Sequence, residues 1–289
     1  MTLEQLRIFV AVADRLHVTR AAEALNMTQS AASAGIAALE ARYGLRLFDR
    51  VGRGVALSDA GRVFLPEAKA VLARAGAATQ ALEDLAGLRR GSIAIAASQT
   101  VSNYWLPSRL ARFAAAHPEI DLRLTTGNTA LVAQAVAEGI VELGFVEGEV
   151  DLPVLQRTGV GGDRLAIYAA PTHPLAGARL TAADLAGGRW VLREPGSGTR
   201  SEFEHALGRA DLDIAALTVV LELPSNEAVL DAVAHGDLLT AVSELAAQPL
   251  VSAGRLVLLE FDLAVRAFEL LTHKDRRRSP AAAAFLAQL

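Results

Sequence analysis

"TQSAASAGIAALEARYGLRLFDR", residues 28–50, decides how the N-terminal part of this chain folds, and the rest is read outward from it. Its first half is small and weakly polar with almost no charge, and it leads into Arg42, Arg46, Arg50 and Arg53. Thr28 offers a capping oxygen to a helix whose apolar face is Ala32, Ile36 and Leu39. Just upstream, "RAAEAL" reads as another short helix, with Thr19 as its cap and alanines that permit close helix packing. Asn26 and Met27 interrupt the two. Short helices joined by a tight turn form a helix-turn-helix, which offers the first residues of its second helix to the DNA major groove. Beyond Gly44, "LRLFDRVGRGVALS" alternates on both sides of Gly52 and Gly54, the pattern of a two-stranded wing.

Small residues at 30, 31 and 34 let such a helix approach base edges. Gln29 can bond an adenine edge, and Ser30 and Ser33 can reach a base or a phosphate. Spacing alone leaves a second reading open, in which these are ordinary first-turn polar residues. Arg50 suits a backbone clamp at the base of the wing. Arg53, between two glycines, is placed for the minor groove or its flanking phosphates. Arg42 and Arg46 are equally explained by the helix dipole or by pairing with Glu40.

Outside this segment, 289 residues exceed one usual domain, and 52% hydrophobic content is ample for several cores. The formal net charge of -4 argues against a uniformly basic surface. Residues 1–60 hold seven arginines against six carboxylates, a local balance of +1, so position matters more than total. The absence of cysteine excludes disulfides, thiolate metal sites and thiol switches. The first eighteen residues carry Glu4, Arg7 and Asp14 through their apolar positions, unlike a secretory signal, and no long uncharged apolar run follows. A cytoplasmic protein without a membrane span is the expectation.

From Asp59 to about residue 89 one long helical pattern carries Val63, Phe64, Ala68, Val71, Leu72, Ala75, Ala78, Leu82 and Leu85 near heptad spacing. Such a stripe needs a partner, and a second copy of the chain is the simplest. From Gly91 strands and helices alternate in two series, the rhythm of parallel sheets covered by helices. The chain crosses twice between the two α/β units, and the glycines of "GVGGD" (159–163) suit one crossing. "SPAAAAFLAQL" reads as a last helix capped by Ser279 with Pro280 at its first position.

The N-terminal text resembles the winged helix-turn-helix of LysR-type transcriptional regulators. The matching positions are Phe9, Ala21, Ala22, Leu25, Gln29, Ser33, Ile36, Leu39, Glu40, Gly44, Leu47, Phe48, Arg50, Arg53, Leu57 and Gly61. The resemblance implies a DNA-binding domain over 1–58, a dimerising linker helix over 59–89, and a two-lobed, periplasmic-binding-protein-like α/β effector domain over 90–289. Lobe I then takes about 90–161 and 267–289, and lobe II about 162–266. "GNT" (127–129), "GFVEG" (144–148) and "REPGSGTR" (193–200) are similar to text in regulators that respond to sulfite and in regulators of carbon fixation genes. His17 and Gly35 depart from the family, which often has serine and glutamine there. "GNTALV" lacks the acidic pair that often follows this motif in the sulfite group.

In the effector half, Gly196, Ser197, Gly198, Thr199 and Arg200 place flexible backbone, two hydroxyls and a charge before a helix, a setting that attracts anions. Ser98, Gln99 and Thr100 repeat the arrangement on the other lobe, and Asn128 and Glu147 fall at strand ends lining the same crevice. Each motif is also readable as a plain helix cap; convergence on one cleft favours a small anion. Glu147 opposes an anion unless it faces away, shares a proton, or anchors Arg200 or an amide. "KDRRR" (274–278) reads as a solvated loop. The six histidines show no metal-ligand spacing, and no nucleophile, Walker or dinucleotide motif is present, so no enzyme, metal or cofactor is expected. The expected partners are double-stranded DNA carrying an inverted repeat, a small anionic effector such as sulfite, and a second or further copies in a homodimer or homotetramer. A solute-binding transport protein is the alternative, opposed by the winged N-terminus.

Overall fold

A computed structural model describes residues 1–51, 54–85, 91–261, 263 and 265–289. These fall into two compact units, one carrying the N-terminal helices and hairpin, the other the chain from Ser92 onward except Glu138–Ile140.

The first unit begins with α1 (Leu3–Arg15), opened by a reciprocal cap between Thr2 and Gln5. Helices α2 (Val18–Ala24) and α3 (Gln29–Tyr43) follow. α2 is not capped by Thr19, which lies inside it; His17 holds the cap position without a side-chain bond. Thr28 caps α3 by accepting from the Ala31 amide at 3.2 Å, and Gly44, at φ +66°, ends it in the left-handed conformation that glycine tolerates. The wing is β1 (Phe48–Val51) against β2 (Gly54–Leu57), antiparallel. The first core gathers Leu6, Phe9, Val12, Ala21, Ala22, Ala32, Ile36 and Leu39, with the Phe9 ring 5.3 Å from Phe48 and 5.0 Å from Phe64.

Helix α4 (Asp59–Leu85) runs through Pro66, and its apolar stripe divides in two. Ala68, Phe64 and Leu72 pack on the first core, while Val63, Val71 and Leu82 stand exposed.

The second unit is built on β3 (Ser92–Ser98), α5 (Pro107–Ala116), β4 (Asp121–Gly127), α6 (Thr129–Glu138), β5 (Leu143–Glu147) and β6 (Leu155–Ala169). It continues through α7 (Ala182–Gly187), β7 (Arg189–Arg193), α8 (Gly198–Arg209), β8 (Thr218–Leu223), α9 (Asn226–Ala234) and β9 (Leu239–Ser243). It closes with α10 (Glu244–Ser252), β10 (Val257–Leu259), β11 (Val265–His273) and α11 (Pro280–Leu286), the last capped by Ser279. A single π-helical turn, Val101–Trp105, links β3 to α5.

The strands run in the order β4-β3-β5-β11-β6-β9-β7-β8, with β10 on β6. β4, β3 and β5 are parallel, as are β8, β7 and β9, so each series forms its own open sheet with helices on both faces. Two strands join the lobes. β6 pairs with β11 over residues 155–164 and with β9 over 165–169. The glycine-rich crossing expected at 159–163 is therefore continuous strand rather than loop. Two of its glycines serve close approach: a Cβ on Gly161 would lie 2.9 Å from Trp105 Nε1, and one on Gly162 would lie 2.5 Å from the Arg266 carbonyl oxygen. The register steps between Phe268 and Glu269, so Val160 is bulged at the crossing.

Candidate functional site

In the first unit, the start of α3 carries the expected DNA-facing residues. Thr28, Gln29 and Ser30 are exposed and Ser33 is half-buried. Gln29 Nε2 donates to Ser33 Oγ at 2.9 Å, and the hydroxyls of Thr28 and Ser30 lie 3.0 Å apart. The amide of Gln29 is thus braced along the helix, with its oxygen directed to other partners. Arg50 is exposed on β1 opposite Val55, and Arg53 lies outside the described residues.

Glu40, which the sequence offers to Arg42 or Arg46, accepts the amides of Leu47 and Phe48 at 2.7 and 3.2 Å. One carboxylate so fixes the end of α3 to the start of the wing. Gly35 marks a close approach of α3 to α1: a Cβ there would come 2.7 Å from Ile8 Cδ1.

In the second unit, the strand ends and helix starts of the two lobes meet at a seam. Gly196, at φ +86°, turns the chain into α8, and its carbonyl oxygen accepts the Ala130 amide of lobe I at 3.1 Å. Gly198 then packs its backbone against β5: its amide donates to Thr129 Oγ1 at 3.1 Å, and Thr129 donates to the Glu147 carbonyl oxygen at 2.7 Å. The first bond within the helix runs from the Ser201 amide to the Ser197 carbonyl oxygen, so the Thr199 and Arg200 amides precede the α8 ladder. Ser197 is buried at the cap position without a side-chain capping bond.

Glu147 is buried at the end of β5. Its carboxylate accepts from the hydroxyl of Ser98 on β3 and from Thr199 Oγ1 on α8 at 3.3 Å. The cation beside it is Arg266 of β11, whose Nη1 lies 3.9 Å from Glu147 Oε1 and donates to Thr199 Oγ1 at 3.1 Å. Arg266 also forks onto its cross-strand neighbour Asp163 at 2.5 and 3.0 Å, and Asp163 accepts from the Ser243 hydroxyl. Burial pulls the Arg266 pKa down, but the hydrogen bonds to Asp163 and the charges of Glu147, Asp163 and Glu202 outweigh it and push it up. One cation here faces two carboxylates, and every member is hydrogen-bonded.

Arg200, expected to charge the cleft, is engaged elsewhere. It donates to Glu204 at 2.8 Å, to the Arg193 carbonyl oxygen at 3.1 Å, and to Glu222. Burial lowers its pKa, and those two carboxylates raise it by more. Arg266 was missed in the sequence although a signal was there: in "VRAFELL" the alternation puts Arg266 in phase with buried Phe268.

The seam is bridged at two further places. Gln99 Oε1 accepts the first amide of α9, Asn226 N, at 2.6 Å, and Asn226 Nδ2 donates to Thr100 Oγ1 at 3.1 Å. Asn128, which caps α6 through the Leu131 amide at 3.0 Å, donates across to Glu194 at 3.3 Å. At the mouth, Tyr104 and Asn103 donate to Glu227 at 2.8 and 3.2 Å. Among the described residues no group of histidine and carboxylate side chains is arranged to hold a metal ion, and no helix is long and apolar enough to cross a membrane.

Residues 3–62 match the lysR family of bacterial regulatory helix-turn-helix proteins, and residues 86–289 match the LysR substrate binding domain. The chain is 34% identical over 288 residues to an uncharacterized HTH-type transcriptional regulator, YeiE, of Escherichia coli (strain K12), covering 99% of this chain and 96% of that one. It is 35% identical over 288 residues to a RuBisCO operon transcriptional regulator of Allochromatium vinosum, covering 99% and 94%. The regulatory domain of Synechocystis PCC6803 CcmR, solved in complex with 2-PG, superposes with a TM-score of 0.61 at 26% identity, over 68% of this chain and 95% of that one.

Proposed function

Since the chain belongs to the LysR family of bacterial helix-turn-helix regulators, we propose that its effector domain senses a small oxyanion at the seam between its lobes. The protein is a DNA-binding transcription regulator, not an enzyme, with a substrate-binding effector domain. One observation carries the finer reading. The Ser98 and Thr199 hydroxyls and the Arg266 guanidinium, drawn from both lobes, already converge on an oxyanion, the carboxylate of Glu147. The free first-turn geometry of α8 beside buried Ser197 adds donors to the same place.

Glu147 also selects. A fully ionised effector would meet this carboxylate, whereas one that keeps an acidic or hydroxyl hydrogen can donate it to Glu147. Hydrogen sulfite, a phosphate monoester and a small hydroxy acid all satisfy that rule, and the likeness to RuBisCO regulators and to a domain solved with 2-PG supports the wider class alongside sulfite. Ser98, Gln99, Thr100, Asn128, Gly196, Ser197, Gly198 and Thr199 line the seam, with Arg266 in the role expected of Arg200.

On DNA, Gln29, Ser30 and Ser33, set by the Thr28 cap, read the major groove, and Arg50 and Arg53 hold phosphates. The exposed Val63, Val71 and Leu82 of α4 support pairing with a second copy, and a two-fold dimer reads an inverted repeat. Effector binding changes the relation of the lobes and so the spacing of the DNA-binding units. A thermal-shift panel of sulfite, sulfate, phosphate, thiosulfate, 2-PG and small carboxylates on the full chain tests the reading. Stabilisation by a protonatable oxyanion is expected; stabilisation by none of them, or only by neutral or cationic metabolites, refutes it.

A further inference from the structure

Arg193, at the end of β7, is a buried cation that takes no part in the effector contacts above. Its guanidinium directs three donors at two partners. Nε and Nη2 fork onto Glu194 at 2.8 and 3.0 Å, and Nη1 donates to Asn226 Oδ1 at 2.8 Å. Each of these partners then reaches across the seam. Glu194 accepts from Asn128, in the loop between β4 and α6, and Asn226 donates to Thr100, at the end of β3. The chain of bonds is Asn128, Glu194, Arg193, Asn226, Thr100: it leaves lobe I at one rim, passes through lobe II, and returns to lobe I at the other rim.

We propose that Arg193 is a positioning residue that couples the two rims of the cleft, so that closure at Thr100 and closure at Asn128 occur together. The physics lies in the shape of the guanidinium. A planar fork bound bidentately to Glu194 fixes the direction of its third donor, so the aim of Asn226 depends on the placement of Glu194. Asn226 is fully buried, so its amide cannot turn to water when Thr100 withdraws, and the loss is felt back along the chain. A lysine at 193 keeps the charge but not the fork, and can serve one partner without orienting the other. Both rims contribute side chains to the proposed effector site. A ligand touching either one therefore recruits the other, so an effector that contacts few atoms still engages both.

The inference rests on reading this seam as the effector cleft, but its test needs no effector, so the two can fail separately. The chain has no cysteine, so cysteines placed at exposed Ala115 in lobe I and Gln248 in lobe II carry spin labels uniquely. Pulsed electron resonance on the full-length protein then reads the ratio of closed to open lobes. Asn128→Ala, Thr100→Val and the double variant are compared in the native and Arg193→Lys backgrounds. With Arg193, the double variant is expected to differ at least about five-fold from the product of the singles; with lysine, it agrees within about two-fold. A merely structural Arg193 would scale all populations and leave the coupling intact. Should Arg193→Lys fail to fold, Glu194→Ala severs the same chain at its next link. Coupling that survives the severed chain, coupling absent from the native background, or lobes that stay closed in every variant overturns the proposal.

Discussion

Replacing Gly198 by alanine tests how the start of α8 is seated. A Cβ at this position would stand 2.0 Å from the Glu147 carbonyl oxygen and 2.5 Å from Thr129 Oγ1, where ordinary contact begins at 3.4 Å. Neither neighbour is the end of a flexible chain, so the helix start must back away by about 1 Å or more. That withdrawal takes the Gly198 amide off Thr129 Oγ1, now 3.1 Å away, in a region with no water to replace it. A buried donor left unmade costs about 1–3 kcal/mol, and residual strain brings the expected loss to about 2–4 kcal/mol. Gly208 is an internal control near the other end of the same helix, because a Cβ there would meet nothing within 4 Å. Gly208→Ala should gain about 0.5–1 kcal/mol from helix propensity alone. Both tryptophans, Trp105 and Trp190, belong to the effector unit, so their fluorescence during urea unfolding reports that unit by itself. If the midpoint of Gly198→Ala falls no further than that of Gly208→Ala, the close seating of α8 on β5 is wrong.

Three other outcomes are expected. Alanine at Gln29, Ser30 or Ser33 should relax preference among DNA sequences, whereas Arg50→Ala should weaken all duplexes alike and lower the salt slope by about one unit; the reverse pattern in a binding titration would overturn the assignment. Thr199→Val removes the hydroxyl that meets both Glu147 and Arg266, and should raise the sulfite concentration for half-maximal response by about ten-fold, read by operator binding. For Glu227, burial raises the pKa, but hydrogen bonds from its own amide, Tyr104, Asn103 and Ser225 outweigh it, so the folded value is depressed below the ordinary glutamate value. A depressed carboxylate contributes stability above its unfolded pKa and loses it as pH falls through the folded one. Tyr104→Phe should therefore flatten the acid limb of the effector unit's unfolding curve below about pH 4.5, and an unchanged limb would refute a stabilising bond from Tyr104 to Glu227.

Much of this architecture is legible in the chain because it is set locally. The caps at Thr28 and Ser279, the glycine stop at residue 44 and the short apolar runs of β3, β5 and β7 depend on neighbours a few positions away. The residues that went unread depend on neighbours a hundred positions away. Arg266 meets Asp163 across antiparallel strands, Asn226 meets Gln99 and Thr100 across the seam, and nothing near either one in sequence announces its partner. Arg200 illustrates the same limit from the other side. Its place after "PGSGT" is a sound reason to expect an anion, but Glu222, on a strand reached only by folding, takes the charge first.

The crossing made by β6 and β11 has a mechanical consequence. Lobes joined by loops can swing freely, because loops bend at little cost and store no restoring force. A hydrogen-bonded pair of strands is stiff to stretching and shear, since either would break its ladder, but it yields in twist, the deformation native to β-structure. The bulge at Val160 sits at the crossing, where it locally adds twist and interrupts the ladder. Effector binding would therefore act on a torsion spring. Its output is an angle rather than a distance, it returns when the ligand leaves, and its stiffness is set by the sequence of two strands, one of which carries Arg266 to the proposed effector site.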